Sequence, residues 1–160
     1  MKNRELNRQL QALNSLFDRT KDACGDDIEM LSHWAKYLCV LCAGFLENSL
    51  KEVYTTFCTQ AASPAVASYA NRKLRKIQNP KTPAFIGLAA EFERTWGEKL
   101  KEFVNDNGRR EAIDSIMANR HRIAHGDTST ISLVQIKEYF KKAIEVVDFI
   151  EAQCLPSGRA

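Results

Sequence analysis

The chain has 160 residues, of which 44% are hydrophobic and 27% charged, and its formal net charge is +3. Seven glycines and four prolines are too few for a disordered chain or a turn-rich all-β fold. A chain of this length buries a core without disulfides or metals, so we expect one domain over residues 1–160. The small positive charge permits an anionic partner without requiring one, because strong nucleic-acid binders usually carry a denser positive field.

Cysteine usage and the N-terminus indicate a cytoplasmic protein. The five cysteines are an odd number at irregular spacings: Cys24, Cys39, Cys42, Cys58 and Cys154. The first residues, MKNRELNRQL, lack the apolar segment of a signal peptide. No apolar run approaches the ~20 residues needed to cross a bilayer, so no membrane association is expected.

Cys39 and Cys42 form a C-x-x-C pair inside the apolar segment YLCVLCAGFL. Such a pair is compatible with a redox motif or half of a zinc site. It lies in the middle of a predicted helix, however, and no second pair follows at zinc spacing. We therefore favour core packing for both thiols.

The first half of the chain predicts two helices. Residues 3–23 carry Leu6, Leu10, Leu13 and Phe17 at helical spacing, and Gly25 ends this helix. Asp26 or Asp27 is the expected cap of a second helix, which continues to about residue 62. At ~35 residues it would be about 50 Å long, which exceeds the needs of a small core and suggests that it reaches a partner.

The second half predicts shorter helices. Ser63-Pro64 and Thr82-Pro83 are cap-plus-proline starts, and the first of these helices extends to about Gln78. Trp96-Gly97 is a predicted kink or interruption. A helix from residue 109 to near residue 125 and a last one after a cap at Ser132 complete an all-α chain of five to seven helices. The core is expected over residues 5–153, with 154–160 as a flexible tail.

The segment Asn119–Gly126, NRHRIAHG, holds two of the three histidines. It has the features of a basic helix end, where cations complement the helix dipole and glycine ends the helix. His121 and His125 also have the i, i+4 spacing of metal ligands. Asp127 or His33 could be a third ligand only through a contact made by the fold, and Arg122 stands where a zinc enzyme has its glutamate base, so no metal is expected.

Metal-free RNA cleavage is the third interpretation of this segment. It needs a base for the 2′-hydroxyl, an acid for the leaving 5′-oxygen and a cation for the phosphoryl oxygens, and histidine and arginine provide these functions. Arg120 and His125, however, lie about 140° apart on an ideal helix. Either the helix loosens near His125, or the working site combines residues of two copies of the chain.

Arg120-His121-Arg122-Ile123-Ala124-His125 resembles the R-x-x-x-x-H signature of HEPN domains (higher eukaryotes and prokaryotes nucleotide-binding). The following glycine, the long second helix with GFLENSL and the last amphipathic helix fit the same frame, over about residues 5–153. The likeness is strongest to the RiboL-PSP group.

The resemblance implies a HEPN-like helical bundle and a homodimer whose motif helices meet at a composite cleft. It implies metal-independent cleavage of single-stranded RNA without a cofactor, leaving a 2′,3′-cyclic phosphate and a 5′-hydroxyl. Arg120 would hold the phosphate, His125 would be the acid or base, and His121 would occupy the polar supporting position. Asn119 is a further supporting residue, and Glu47 of GFLENSL resembles an acid that orients Arg120, or is an isolated acid on an apolar helix.

RNA contacts are expected from Arg122 and from the cluster Arg72, Lys73, Arg75 and Lys76, which is otherwise a solvated helix face. Relatives that are regulated by nucleotide transfer often carry a Tyr two residues after the His, and Asp127 stands there instead.

The expected setting is toxin–antitoxin or anti-phage defence, with an antitoxin or effector as partner. The alternative is a non-catalytic helical module that dimerises or docks on a partner through the long second helix.

Overall fold

The computed structural model describes residues 1–155, which form seven α-helices. They are α1 (Arg4–Cys24), α2 (Ile28–Ala61), α3 (Pro64–Leu74), α4 (Thr82–Phe92), α5 (Arg94–Asn105), α6 (Arg109–Ala124) and α7 (Leu133–Cys154). Residues 1–155 contain no β-strand, and the predicted all-α bundle of five to seven helices is confirmed. None of the seven is both long and apolar enough to cross a membrane.

Helix α2 runs through the middle of the bundle and packs against α1, α3, α6 and α7. Its central position follows from its sequence, because its apolar residues cover several faces instead of a single stripe. With 34 residues it has the predicted length of about 50 Å. Part of its surface stays open to solvent, where Tyr37 and Val40 are exposed.

Helices α6 and α7 form an antiparallel hairpin. Arg109, at the start of α6, donates from Nε to the Glu145 carboxylate in the second half of α7 at 2.6 Å. Its Nη1 also donates to the Phe103 carbonyl of α5 at 3.1 Å, which joins a third helix to the pair. The carboxyl end of α6 therefore lies beside the start of α7, at one end of the bundle.

Three helices begin with the side-chain caps that their sequences favour. The Asn3 side chain accepts from the N–H groups of Glu5 and Leu6, and Asp27 accepts from Met30. Of the two candidate aspartates before α2, Asp27 is thus the cap. Ser132 opens α7 in a capping box with Gln135, as S/T-x-x-Q favours.

Two predicted features of the proline-initiated helices were wrong. Helix α3 ends at Leu74 instead of near Gln78, so Arg75 and Lys76 lie beyond its last turn. Thr82 is the first residue of α4 and not its cap. Its N–H donates to Asp114 Oδ1 of α6 at 2.8 Å, so an acid from another helix satisfies this free helix-start donor.

The sequence predicted a kink or interruption at Trp96-Gly97. The structure instead has the break at Glu93, which separates α4 from α5. Gly97 lies inside α5 and is buried. A Cβ at this position would lie 2.6 Å from the Cβ of Ala90. The glycine therefore allows two consecutive helices to approach closely, and it does not break either of them.

All five cysteines are buried and free, which confirms core packing for Cys39 and Cys42. Burial raises the pKa of the Cys39 thiol to about 12. Cys154 differs from expectation, because it is the last residue of α7 and is buried instead of belonging to a flexible tail. The rest of that predicted tail, residues 156–160, lies outside the described residues.

Candidate functional site

The segment Asn119–Gly126 forms the last turns of α6 and its C-terminal cap. The helix ends one residue before His125, and Gly126 follows with a φ of 75°. Its N–H donates to the carbonyl three residues earlier at 3.2 Å, and the Asp127 N–H donates to the Arg122 carbonyl at 2.8 Å. This is a Schellman motif, which favours glycine at the left-handed position. The predicted helix end at Gly126 is confirmed.

His121 and His125 lie on the same side of α6. Their ring centroids are 4.4 Å apart with 56° between the planes, as expected for an i, i+4 pair on a helix. Both side chains are exposed. The C-terminal turn therefore presents two neighbouring imidazoles to solvent, and a substrate can reach them from outside.

Arg120 is half-buried and belongs to a different side of the same turn. On an α-helix it lies about 100° from His121 and about 140° from His125. Its positive charge acts on Glu47 of α2, where it contributes to lowering the pKa of that carboxyl. Within residues 1–155 no carboxylate lies within 4.0 Å of the Arg120 guanidinium. Ideal helical geometry thus places Arg120 and His125 on different sides of this turn.

Glu47 is a half-buried carboxylate with two hydrogen-bonded partners. It accepts from Lys51 Nζ at 2.8 Å and from the Asn79 N–H at 2.7 Å. Burial opposes its ionisation, but these hydrogen bonds and the charges of Lys51 and Arg120 outweigh burial and lower its pKa. Glu47 is therefore an anion that anchors the α3–α4 loop, and it lies near Arg120 without a direct ion pair.

Asn119 connects the motif helix to the loop that follows it. Its amide nitrogen donates to the Ser115 carbonyl one turn earlier at 2.9 Å. Its Oδ1 accepts from the Ser129 hydroxyl at 2.9 Å, and Ser129 is buried. The residue before Arg120 thereby fixes the path of the chain after His125.

A family comparison identifies this arrangement. The model of the family described as RiboL-PSP-HEPN matches residues 3–155. The chain belongs to the RiboL-PSP-HEPN family. Searches of curated proteins and of solved structures gave no match. Membership of a HEPN family points to a nuclease or RNA-related role, and the family and subgroup suggested by R-x-x-x-x-H and GFLENSL are confirmed.

Cys39 of this HEPN chain lies directly against the motif helix. Its thiol is within 3.6 Å of the Ile116 carbonyl and also near the backbone of Arg120. A small buried residue here lets α2 pack closely on the turn before the motif.

The basic cluster is separated from the HEPN motif in sequence, and one hydrogen bond joins the loop that follows the cluster to Glu47 of α2. Arg72 and Lys73 lie in the last turn of α3, Arg75 and Lys76 follow the helix, and all four side chains are exposed. The loop then reaches Asn79, whose N–H binds Glu47. Arg122 is exposed on the last turn of α6. The Asn79 contact had no signal in the sequence, whereas Glu47 and Lys51 have the i, i+4 spacing of an ion pair.

Side chains that bind metals do not cluster in the described part of this HEPN domain. Across residues 1–155, no group of three or more His, Cys, Asp or Glu side chains is arranged to hold a metal ion. The nearest approach to a ligand pair at the motif is His121 with His125, beside which the sequence places two arginines.

Proposed function

We propose that this protein is a metal-independent endoribonuclease that acts as a homodimer, with Arg120 from one copy and His125 from the other completing each site. The observation that carries the proposal is the exposed His121–His125 pair at an ordered helix end, from which helical geometry separates Arg120 by about 140° relative to His125. His125 is exposed beside His121, whereas the charge of Arg120 acts toward α2. A second motif helix packed against this end would supply the missing partner.

The reaction that fits these side chains is transesterification within RNA. A base removes the 2′-hydroxyl proton, the 2′-oxygen forms a bond to phosphorus, and the bond to the 5′-oxygen breaks with a proton delivered to it. His125 serves as the acid or base, since imidazole titrates near neutral pH. Arg120 holds the phosphoryl oxygens through its planar guanidinium. The products are a 2′,3′-cyclic phosphate and a 5′-hydroxyl.

The remaining site residues have positioning roles in this proposal. His121 contacts the ring of His125 and sets its orientation. Glu47 provides a fixed negative charge near Arg120, and Asn119 holds the segment after His125. Arg122 lies exposed in the last turn, where a cation attracts the RNA backbone. We place this activity in toxin–antitoxin or anti-phage defence, with an antitoxin or effector protein as partner.

The test is an RNA cleavage assay with purified protein in the presence of EDTA. We expect wild type to cleave single-stranded RNA, and Arg120→Ala and His125→Ala to lose about a hundredfold or more of this activity. His33→Ala is the matched control, since His33 is an exposed histidine outside the motif. Equal RNA loss with wild type and both motif variants, or loss of activity in EDTA, would contradict the proposal.

A mixing experiment tests whether the site is shared between copies. Arg120→Ala and His125→Ala proteins are each inactive, but unfolding and refolding them together at equal amounts produces mixed dimers. If each site pairs Arg120 of one copy with His125 of the other, half of the dimers carry one intact site, and about a quarter of wild-type activity returns. A site contained in one chain predicts no recovery.

A non-catalytic partner-binding module is the second candidate function. The observation that favours it is the set of exposed apolar residues along α2, namely Ile28, Met30, Tyr37 and Val40. This function predicts no RNA cleavage by wild type. It further predicts that Tyr37→Ser together with Val40→Ser, and not His125→Ala, changes self-association or partner capture in sedimentation or pull-down measurements.

A further inference from the structure

A groove lies between the C-terminal part of α2 and helix α3, away from the last turn of α6. It encloses a cavity of about 420 Å³, and Thr59 of α2 forms part of its wall. On the α3 side its polar lining comes from Ser68, Asn71, Arg72 and Arg75. Its size falls within the range of small-ligand sites, and its lining combines cations with hydrogen-bonding groups.

The charge around this groove is strongly segregated. Residues 53–90 contain five lysines and arginines and no aspartate or glutamate, so this stretch carries +5. Because the whole chain carries +3, the remaining residues carry −2. The modest overall charge therefore conceals one basic segment, and clustered cations are the electrostatic feature of a nucleic-acid contact.

The polar groups of the groove lack partners within the described chain. Between residues 1 and 155, no carboxylate lies within 4.0 Å of the Arg72 or Arg75 side chain. The Asn71 side-chain oxygen is buried and accepts no hydrogen bond there. A nucleotide phosphate takes up the arginine donors, whose side chains are exposed.

An aromatic ring stands on the same helix. Tyr69 is 59% exposed, and Lys73 Nζ lies 5.7 Å from the centroid of its ring. Exposed rings beside cations are the stacking platforms of single-stranded nucleic-acid binding, because every base offers a π-face. Helix α3 thus presents a stacking surface in addition to phosphate-binding cations.

A short segment of chain connects the groove to the neighbourhood of the proposed cleavage site. Arg75 is four residues before Asn79, whose N–H binds Glu47, and Glu47 lies near Arg120. Along α2, Glu47 and the groove residue Thr59 are about 18 Å apart. A single RNA strand crosses this span in a few nucleotides.

We propose that the α2–α3 groove is an RNA subsite that binds one nucleotide a few positions away from the scissile phosphate. Arg72 and Arg75 hold its phosphate, and Tyr69 stacks on a neighbouring base. This inference rests on the proposed function for its meaning. Its test uses binding, however, so that the subsite and the nuclease activity can fail separately.

The experiment measures binding of a fluorescently labelled single-stranded RNA by the full chain in the His125→Ala background, over a range of salt concentrations. Arg72→Gln with Arg75→Gln is compared with Arg4→Gln with Arg19→Gln, which removes the same charge from exposed positions of α1. We expect the groove variant to bind roughly tenfold or more weakly, because each substitution removes hydrogen bonds to a charged group. The slope of log K against log salt should fall by about 0.7, since the two arginines hold one phosphate and each single-strand phosphate contact contributes about 0.7.

Tyr69→Phe and Tyr69→Ala test the stacking surface separately. The phenylalanine variant should bind as the parent does, and the alanine variant should bind several-fold more weakly. Equal weakening in the groove and α1 variants, or an unchanged salt slope in the groove variant, would overturn the subsite. If the groove variant loses RNA binding while wild type cleaves no RNA, the subsite stands and the nuclease proposal fails.

Discussion

The Ser129 hydroxyl donates to Asn119 Oδ1 at 2.9 Å and joins the loop after the motif helix to the residue before Arg120. The Asn119 amide is engaged at both ends, because its nitrogen donates to the Ser115 carbonyl. The chain therefore reverses direction at Gly126, and three residues later the Ser129 hydrogen bond holds it against α6. Between the two attachment points lie Arg120 and His125, so the same contact fixes both ends of the motif.

We predict that Ser129→Ala destabilises the protein by about 1–2 kcal/mol, since it leaves the Asn119 acceptor without its donor in a buried place. The free energy of unfolding is measured by urea denaturation. Thr130→Ala is the control, because Thr130 is the exposed next residue of the same loop. Equal effects of the two substitutions would show that the Ser129 contact contributes nothing specific.

Gly126 and Gly44 predict opposite effects of the same substitution. Gly126 has a φ of 75°, so Gly126→Ala forces a side chain into the left-handed region and should cost about 1 kcal/mol. Gly44 lies inside α2, and a Cβ added there would meet nothing within 4 Å, so Gly44→Ala should stabilise by up to about 1 kcal/mol. Thermal unfolding distinguishes them, and a stabilising Gly126→Ala would exclude the observed helix end.

Local rules in the sequence were sufficient for most of the fold. Apolar spacing predicted the helices, and capping chemistry at Asp27 and Ser132 predicted two of their starts. The predictions were wrong where contacts between helices, and not the local sequence, determine where a helix begins or is interrupted. Thr82 begins α4 because Asp114 of a distant helix receives its N–H, and no local pattern contains that partner. Gly97 was expected to interrupt a helix because glycine is a poor helix former. In the structure it lies inside α5, where its missing side chain lets α5 approach α4 closely.

The sequence predicted which residues belong to the candidate site, but it did not predict the contacts that surround them. The R-x-x-x-x-H pattern names Arg120 and His125, and helical geometry alone gives their separation around the helix. The contacts that surround them join residues distant in sequence, such as Asn79 with Glu47. Periodicity within one helix carries no information on such pairs.

The α4–α5 contact is testable by a double-mutant cycle. Gly97→Ala should destabilise by about 1–3 kcal/mol, because its Cβ would lie 2.6 Å from that of Ala90. Adding Ala90→Gly removes the opposing methyl group and should recover part of that loss, which is a coupling that independent sites do not show. Gly87→Ala, at an open position in α4, is the control for glycine replacement in a helix. Additive effects of the two substitutions in urea denaturation would contradict the close approach.

Glu47→Gln should change how stability depends on pH. The folded-state pKa of Glu47 lies below its ordinary value of 4.5, because hydrogen bonds from Lys51 and Asn79 and nearby positive charges outweigh burial. Its ionised form therefore stabilises the fold above the unfolded-state pKa, and this contribution is lost as pH falls through the folded-state pKa. We expect the variant to be less stable than wild type by about 1 kcal/mol near pH 7, with the difference closing as pH falls below the ordinary pKa and through the lowered folded-state pKa of Glu47. Glu52→Gln on the same helix controls for the loss of one negative charge. An offset between Glu47→Gln and wild type that stays constant over the whole pH range would show that the carboxylate contributes nothing through its charge.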